Sequence, residues 1–248
     1  GVSGMSIRDE DIIDQIFVTS SHNFLLCFTN KGKSFKIKCY QIPEASRQSK
    51  GVSISHFLDF DADEKITTII PVKDFNTEDY LLMTTQKGIV KKTAIKAFVH
   101  LKNSSIIAIN LDKADSLRWV RRTSGDKHVI LSTSAGMVIR FEETQIRAMG
   151  RSTRGVKGIN IKPQDNLTSM AIIEPSDDKL QLLIVTKKGY GKNLKLNEFR
   201  CQKRGGIGVK CLKFRKTIKN DFVTDALITT KEDEIMLVTK EGVLCRQK

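Results

Sequence analysis

The chain is 248 residues long, enough to bury one large all-β core or two modest ones. Lysine and arginine number 42 against 28 acidic residues, a formal charge of +14 that favours a polyanionic partner. An apolar share of 40% with four prolines excludes an extended disordered chain, and no apolar run approaches the ~18 residues of a membrane-spanning helix.

The opening GVSGMSIRDE lacks the basic-then-apolar character of a secretion signal, so a soluble protein is expected. RDEDIIDQIF reads equally as a helix start or as a loop running into a strand. A hairpin signature then recurs five times. The copies centre on Gly32 (LLCFTNKGKSFKIK), Gly88 (LLMTTQKGIVKKT), Gly136 (VILSTSAGMVIRF), Gly189 (LLIVTKKGYGKNLK) and Gly242 (IMLVTKEGVLCRQ). Each is a short apolar run, a small or polar residue or two, a glycine, and a run rich in cations. Successive glycines lie 56, 48, 53 and 53 residues apart. A strand-built repeat of about 50 residues points to an array of β-sheet blades.

The repeat extends beyond its hairpin. Nineteen residues after Gly32, Gly136 and Gly189 come Gly51 (GVSISHF), Gly155 (GVKGINI) and Gly208 (GVKCLKF). The second repeat has IIAINL from Ile106 in that place and no glycine. A further strand is predicted before each later hairpin: KITTIIPV, SLRWV, LTSMAII and VTDALIT. Each repeat thus supplies about four short strands, enough for one blade. One helical turn fits in the polar segments YQIPEASRQSK, TQIRAMGRSTR and EFRCQKRGGI. Gly1-Val2-Ser3 matches Gly51-Val52-Ser53, so the chain opens on the last strand of a repeat.

Cations recur at two places in the repeat. One set follows the hairpin glycine by three or four residues: Lys36, Lys91 with Lys92, Arg140, Lys192 and Arg246. The other precedes the second glycine by four: Arg47, Arg151 and Arg204, with Lys50 and Arg154 adjoining their glycines and Lys157 just beyond. A single cation at a strand end is ordinarily just solvated. Repetition would set like charges at equivalent spots on successive blades, a track for phosphates that reads no bases. The run Gln202–Gly208 (QKRGGIG) adds Lys203 and Arg204 beside paired glycines that let backbone approach a phosphate.

These hairpins, the segment FEETQIRAMGRSTRGVKGI and the run QKRGGIG resemble the C-terminal domain of bacterial DNA gyrase A over nearly the whole chain. The resemblance implies an all-β β-pinwheel, a propeller-like ring of about six four-stranded antiparallel blades forming a single domain over 1–248. It implies duplex DNA bent and wrapped around a basic perimeter, directing strand passage for negative supercoiling. It also implies a cytoplasmic, nucleoid-associated, monomeric domain with no cofactor and no membrane partner. That domain would be joined to the rest of gyrase A and, through it, to gyrase B in an A2B2 complex. The family's Q-R-R-G-G-K-G box would end near Gly1, so Gln202–Gly208 is a later cousin with Lys203 for arginine and Ile207 for lysine.

Catalysis is not expected of this chain, although its parent would be an ATP-dependent type II topoisomerase. His22, His56, His100 and His128 are scattered, which argues against zinc. Tyr40, Tyr80 and Tyr190 lack the context of a DNA-cleaving tyrosine, and no P-loop is present. DFDADEK lacks the glycine and terminal glutamate of a calcium loop and reads as a solvated turn. Trp119 reads as a core or blade-interface residue. The five cysteines are odd in number and form no C-x-x-C pair, which suits a reducing compartment. Cys27, Cys211 and Cys245 lie in apolar runs as buried thiols. Two other readings stay open: a topoisomerase IV domain that selects DNA crossings, and a propeller scaffold that docks an acidic protein.

Overall fold

The computed structural model describes residues 17–46, 49, 51–100, 105–177, 179–214, 220–238 and 244–247. Gly1-Val2-Ser3 and nearly all of RDEDIIDQIF lie outside them. Strands β1 (Phe24–Thr29), β2 (Lys33–Lys38), β3 (Ile66–Val72), β4 (Tyr80–Thr85), β5 (Ile89–Ala94) and β6 (Ile106–Ile107) come first. They are followed by β7 (Leu117–Thr123), β8 (His128–Thr133), β9 (Met137–Glu142), β10 (Val156–Lys157), β11 (Leu167–Ile173) and β12 (Gln181–Thr186). The last are β13 (Gly191–Lys195), β14 (Val209–Lys210), β15 (Val223–Thr229), β16 (Ile235–Val238) and β17 (Leu244–Gln247). No α-helix occurs among the described residues.

The strands form sheets in the orders β3-β1-β2-β6, β10-β5-β4-β7, β11-β8-β9-β14, β13-β12-β15 and β16-β17. Every strand pairing described is antiparallel, so the chain is all-β and built of blades. The first four expected hairpins are present, and the two strands of the fifth pair as expected, its turn lying outside the described residues. Their outer strands, however, are not those of their own repeat. β3, expected with the Gly88 hairpin it precedes, pairs with β1 of the Gly32 hairpin. The short strand β6 belongs by sequence to the second repeat but pairs with β2 of the first. Likewise β11 and β14 flank the Gly136 hairpin from the next repeat. Each of the first four blades is therefore a hairpin completed by its successor.

One device repeats at that exchange. The carbonyls of Gly32, Gly88 and Gly136 accept from the N–H of Ala108, Gly158 and Cys211 at 2.8, 2.8 and 2.9 Å. A Cβ on Gly32 would lie 2.5 Å from the Ile109 carbonyl oxygen, and φ is +74° there, so only glycine fits both demands. A bulge before each of the first four turns, at Thr29, Thr85, Leu167/Ser169 opposite Thr133, and Thr186, adds local twist.

Some predicted pieces change character. GVSISHF holds a 3-10 turn at Ile54–His56, not a strand, and the other second-glycine strands are two residues long. The three expected helical turns occur as 3-10 turns at Cys39–Gln41, Glu143–Gln145 and Leu196–Glu198, directly after the hairpins, and a further one stands at Ile95–Phe98.

The chain divides into two compact units, one of residues 1–85, 91–124 and 148–155, the other of 86–90, 125–147 and 156–248. In the first, Leu26, Phe28, Leu81, Met83, Phe98 and Leu117 form one core, and Cys27, Phe35 and Ile37 belong to another. In the second, Ile130, Leu182, Ile184, Phe199 and Val223 pack together. The inner strands β1, β4 and β8 are buried on both faces except at their first residue.

Candidate nucleic-acid interface

The cations that follow the hairpin glycines are largely committed to the protein itself. The Lys36 ammonium donates to the Val99 carbonyl at 2.6 Å and lies 5.1 Å from the Phe24 ring centroid. Burial, then the neighbouring Lys38, lowers its pKa. Lys91 is fully buried and donates to the carbonyls of Ala108 (2.6 Å), Arg151 and Thr153 (3.2 Å). Burial, then Arg151, brings its pKa down to about 8. Lys92 is also buried, 5.2 Å from the Tyr80 ring. Arg140 is half-buried and places Nε and Nη2 at 3.1 and 3.0 Å from His128 Nδ1. Lys192 is exposed and donates to the Cys211 carbonyl at 3.1 Å.

The expectation that this set faces a phosphate therefore fails for Lys91, which is fully buried, and is weakened for Lys92, which is buried beside the Tyr80 ring. β5 is buried at every position from Val90 to Thr93, and a lysine buried there must spend its N–H groups on internal partners. The strand of Arg246 is placed, opposite Met236, but its side chain lies outside the described residues. Arg47 and Lys50 also lie outside them.

The second set is more open. Arg154 is exposed and pairs with Asp112, both side chains about half in solvent. Such a pair contributes little and exchanges readily for a phosphate. Lys157 and Lys203 are exposed, and Arg151 is half-buried with its carbonyl fixed by Lys91. Arg204 behaves as a brace, donating from Nε to the Gln145 carbonyl and from Nη1 to the Lys157 carbonyl, both at 3.0 Å.

The glycines of Gln202–Gly208 also serve the fold. The Gly205 N–H donates to the Gly158 carbonyl at 2.6 Å, and a Cβ on Gly208 would sit 2.5 Å from the Val138 carbonyl oxygen. These glycines bring backbone to backbone. Gly205 and Gly208 thus pack against backbone, and the predicted approach to a phosphate has Lys203 as its open cation.

Sequence reading missed two features. On β7, the run LRWVRRT exposes Arg118, Arg121 and Arg122, with Arg118 5.7 Å from the half-buried Trp119 ring and Arg122 paired to Asp79 at 2.6 Å. The pattern of buried Leu117, Val120 and Thr123 between arginines was the available signal. DFDADEK, expected as a solvated turn, contains the buried Glu64, which accepts from Thr29 Oγ1 at 2.5 Å and pairs with Lys33 at 3.3 Å. Burial raises the thiol pKa of Cys27 to about 12 and of Cys211 to about 11, which suits inert core thiols.

The blade pattern agrees with known proteins. The sequence profile of the DNA gyrase C-terminal domain, a beta-propeller, matches residues 23–73, 79–124, 127–174 and 181–230. The chain belongs to that family. It is 38% identical to the DNA gyrase A protein of Staphylococcus epidermidis over 99% of its own length, and spans 27% of that relative. A crystal structure of the C-terminal domain of DNA topoisomerase IV superposes with TM-score 0.89 at 28% identity, covering 99% of this chain and 75% of the other. A structure of the DNA gyrase A C-terminal domain gives 0.73 at 27% identity, covering 98% and 80%. No described helix is long and apolar enough to cross a membrane.

Proposed function

We propose that this chain is a non-catalytic DNA-handling domain of a gyrase A protein, binding duplex DNA without regard to sequence and bending or wrapping it. The observation that carries this is the family match, which falls on four successive blades of a chain with a charge of +14. The phosphate contacts are assigned to Arg151, Arg154, Lys157, Lys192 and Lys203, with Arg47, Lys50 and Arg246 at equivalent sequence positions. Lys36, Lys91, Lys92, Arg140 and Arg204 act as braces that hold those segments. Bending 20–30 bp by 40–90° costs on the order of 1–6 kcal/mol, which several such contacts offset.

In this reading residues 1–248 are one domain of repeated blades. Its parent is an ATP-dependent topoisomerase of the bacterial cytoplasm, bound to the nucleoid and assembled with gyrase B as A2B2. The wrap fixes the handedness of strand passage. The test is to ligate nicked plasmid in the presence of the chain, remove protein and measure linking number. A positive shift is expected. Absence of binding at low salt would sink the proposal. Binding without a shift would favour the topoisomerase IV reading, which the TM-score of 0.89 supports.

A further inference from the structure

Scattered in sequence, His128, Glu142 and Cys201 offer an imidazole nitrogen, a carboxylate oxygen and a thiol sulfur that lie within 4.8 Å of one another. The scatter of the histidines along the sequence argued against zinc, but two backbone pairings bring one of them beside a carboxylate and a thiol. His128 stands directly opposite Glu142 across β8 and β9. Cys201 is bridged to Arg140, two residues before Glu142, and the Gln202 N–H donates to the Arg140 carbonyl at 2.8 Å. The three donors thus come from three segments already fixed by backbone hydrogen bonds.

We propose that His128, Glu142 and Cys201 form a transition-metal site suited to Zn2+, which Arg140 holds closed. One imidazole, one carboxylate and one thiolate match the donor preferences of zinc, and the two anionic ligands neutralise its charge. A tetrahedral metal with ordinary Zn–N, Zn–O and Zn–S bonds holds its ligand atoms roughly 3.3–3.8 Å apart. Gathering the three therefore takes movements of about an ångström. Glu142 and Cys201 are exposed and free to make them. The remaining coordination position is left for water.

Arg140 makes the site conditional. A neutral imidazole has one lone-pair nitrogen, and the Arg140 donors mark it as Nδ1. A metal taking Nδ1 displaces the guanidinium directly. A metal taking Nε2 moves the ring proton to Nδ1, where it meets the same donors. Either way Arg140 leaves His128, keeping only its longer contacts to the Leu196 and Pro175 carbonyls at 3.5 and 3.4 Å. The Cys201 thiol gives up its proton to solvent as the metal binds. Occupancy pins the segment that leads into Gln202–Gly208 and frees one arginine.

The experiment is a Co2+ titration of the whole chain, followed by displacement with Zn2+. One Co2+ per chain is expected, with visible bands of a tetrahedral ion and a near-ultraviolet thiolate band. Cys201→Ser removes the thiolate band, and His128→Gln and Glu142→Gln each weaken binding at least about 10-fold. Arg140→Met, which removes the competitor, tightens it by a similar factor. No thiolate band, or one that survives Cys201→Ser, overturns the site. An Arg140→Met chain that binds Co2+ no more tightly overturns the competition.

Discussion

The hairpins at Gly88 and Gly189 carry nearly the same sequence signature and meet different fates. Both glycines turn with φ near +80°, and both are followed three residues later by a lysine. Around Gly88, a Cβ would lie 2.8 Å from Ile159 Cγ2 and 3.1 Å from the Ile159 carbonyl oxygen; around Gly189 nothing lies within 4 Å. β5 is buried from Val90 to Thr93, whereas β13 buries only Leu194. Lys91 and Lys192 donate to equivalent carbonyls, those of Ala108 and Cys211, each just past the short strand of its repeat. Only Lys91 also gathers the Arg151 and Thr153 carbonyls. The difference lies in what the following repeat supplies. β5 has β10 on its far side, while β13 is the edge of a three-stranded sheet among the described residues. A repeat in sequence therefore need not be a repeat in energy.

The largest test of this contrast is Lys91→Met against Lys192→Met. Leaving three carbonyls without their donor should destabilise the first by about 3 kcal/mol in urea unfolding. The second, at an exposed position with one such bond, should fall within about 0.5–1 kcal/mol. A neutral Lys91→Met would mean that the desolvation of a buried ammonium cancels its hydrogen bonds.

Next comes Gly88→Ala against Gly189→Ala. Both force an L-residue into the left-handed region, a penalty of about 1–2 kcal/mol. At Gly88 the isoleucines must also give way, adding on the order of 1 kcal/mol or more. Equal losses in thermal or chemical unfolding would mean that Ile159 and Ile161 yield freely.

A further effect follows from pH. The folded chain releases the Lys91 proton near pH 8, while the unfolded chain holds its lysine protons to about pH 10.4. Between those values the unfolded chain binds more protons, so this lysine's contribution to stability rises with pH, by up to about 1.4 kcal/mol per unit. The stability gap between wild type and Lys91→Met should widen from pH 8 to pH 10. A gap that stays constant would show the three carbonyls restoring an ordinary lysine.

Much of the fold was legible because glycine spacing and apolar runs are local. The strands of all five hairpins and the long strands β3, β7, β11 and β15 stand where the pattern put them. Which hairpin each long strand joins was not legible, since exchange between neighbouring repeats leaves the linear order unchanged. The candidate interface was half legible for a related reason. Periodicity located Lys91 and Arg154 equally well. It could not tell that one points into a cage of carbonyls and the other into solvent, because the cage is built by residues 17 to 62 positions away. His128, Glu142 and Cys201 left no local trace at all.

The smallest expected effect concerns DNA. If exposure decides which cations meet phosphates, Lys192→Gln and Lys203→Gln each remove at most one contact. The slope of log affinity against log salt should then shrink by up to about 0.9 for each. Lys91→Met should lower affinity only through the Arg151–Thr153 segment that it carries. Its slope should return to that of wild type under conditions that hold this segment in place, such as added osmolyte. Gel-shift or anisotropy titrations across salt separate the two behaviours, since a lost phosphate contact changes the slope whatever the stability of the chain. If Lys91→Met, fully folded, still lost a whole phosphate's worth of slope, the buried lysine would have to reach DNA. The division between bracing and binding cations would then fall.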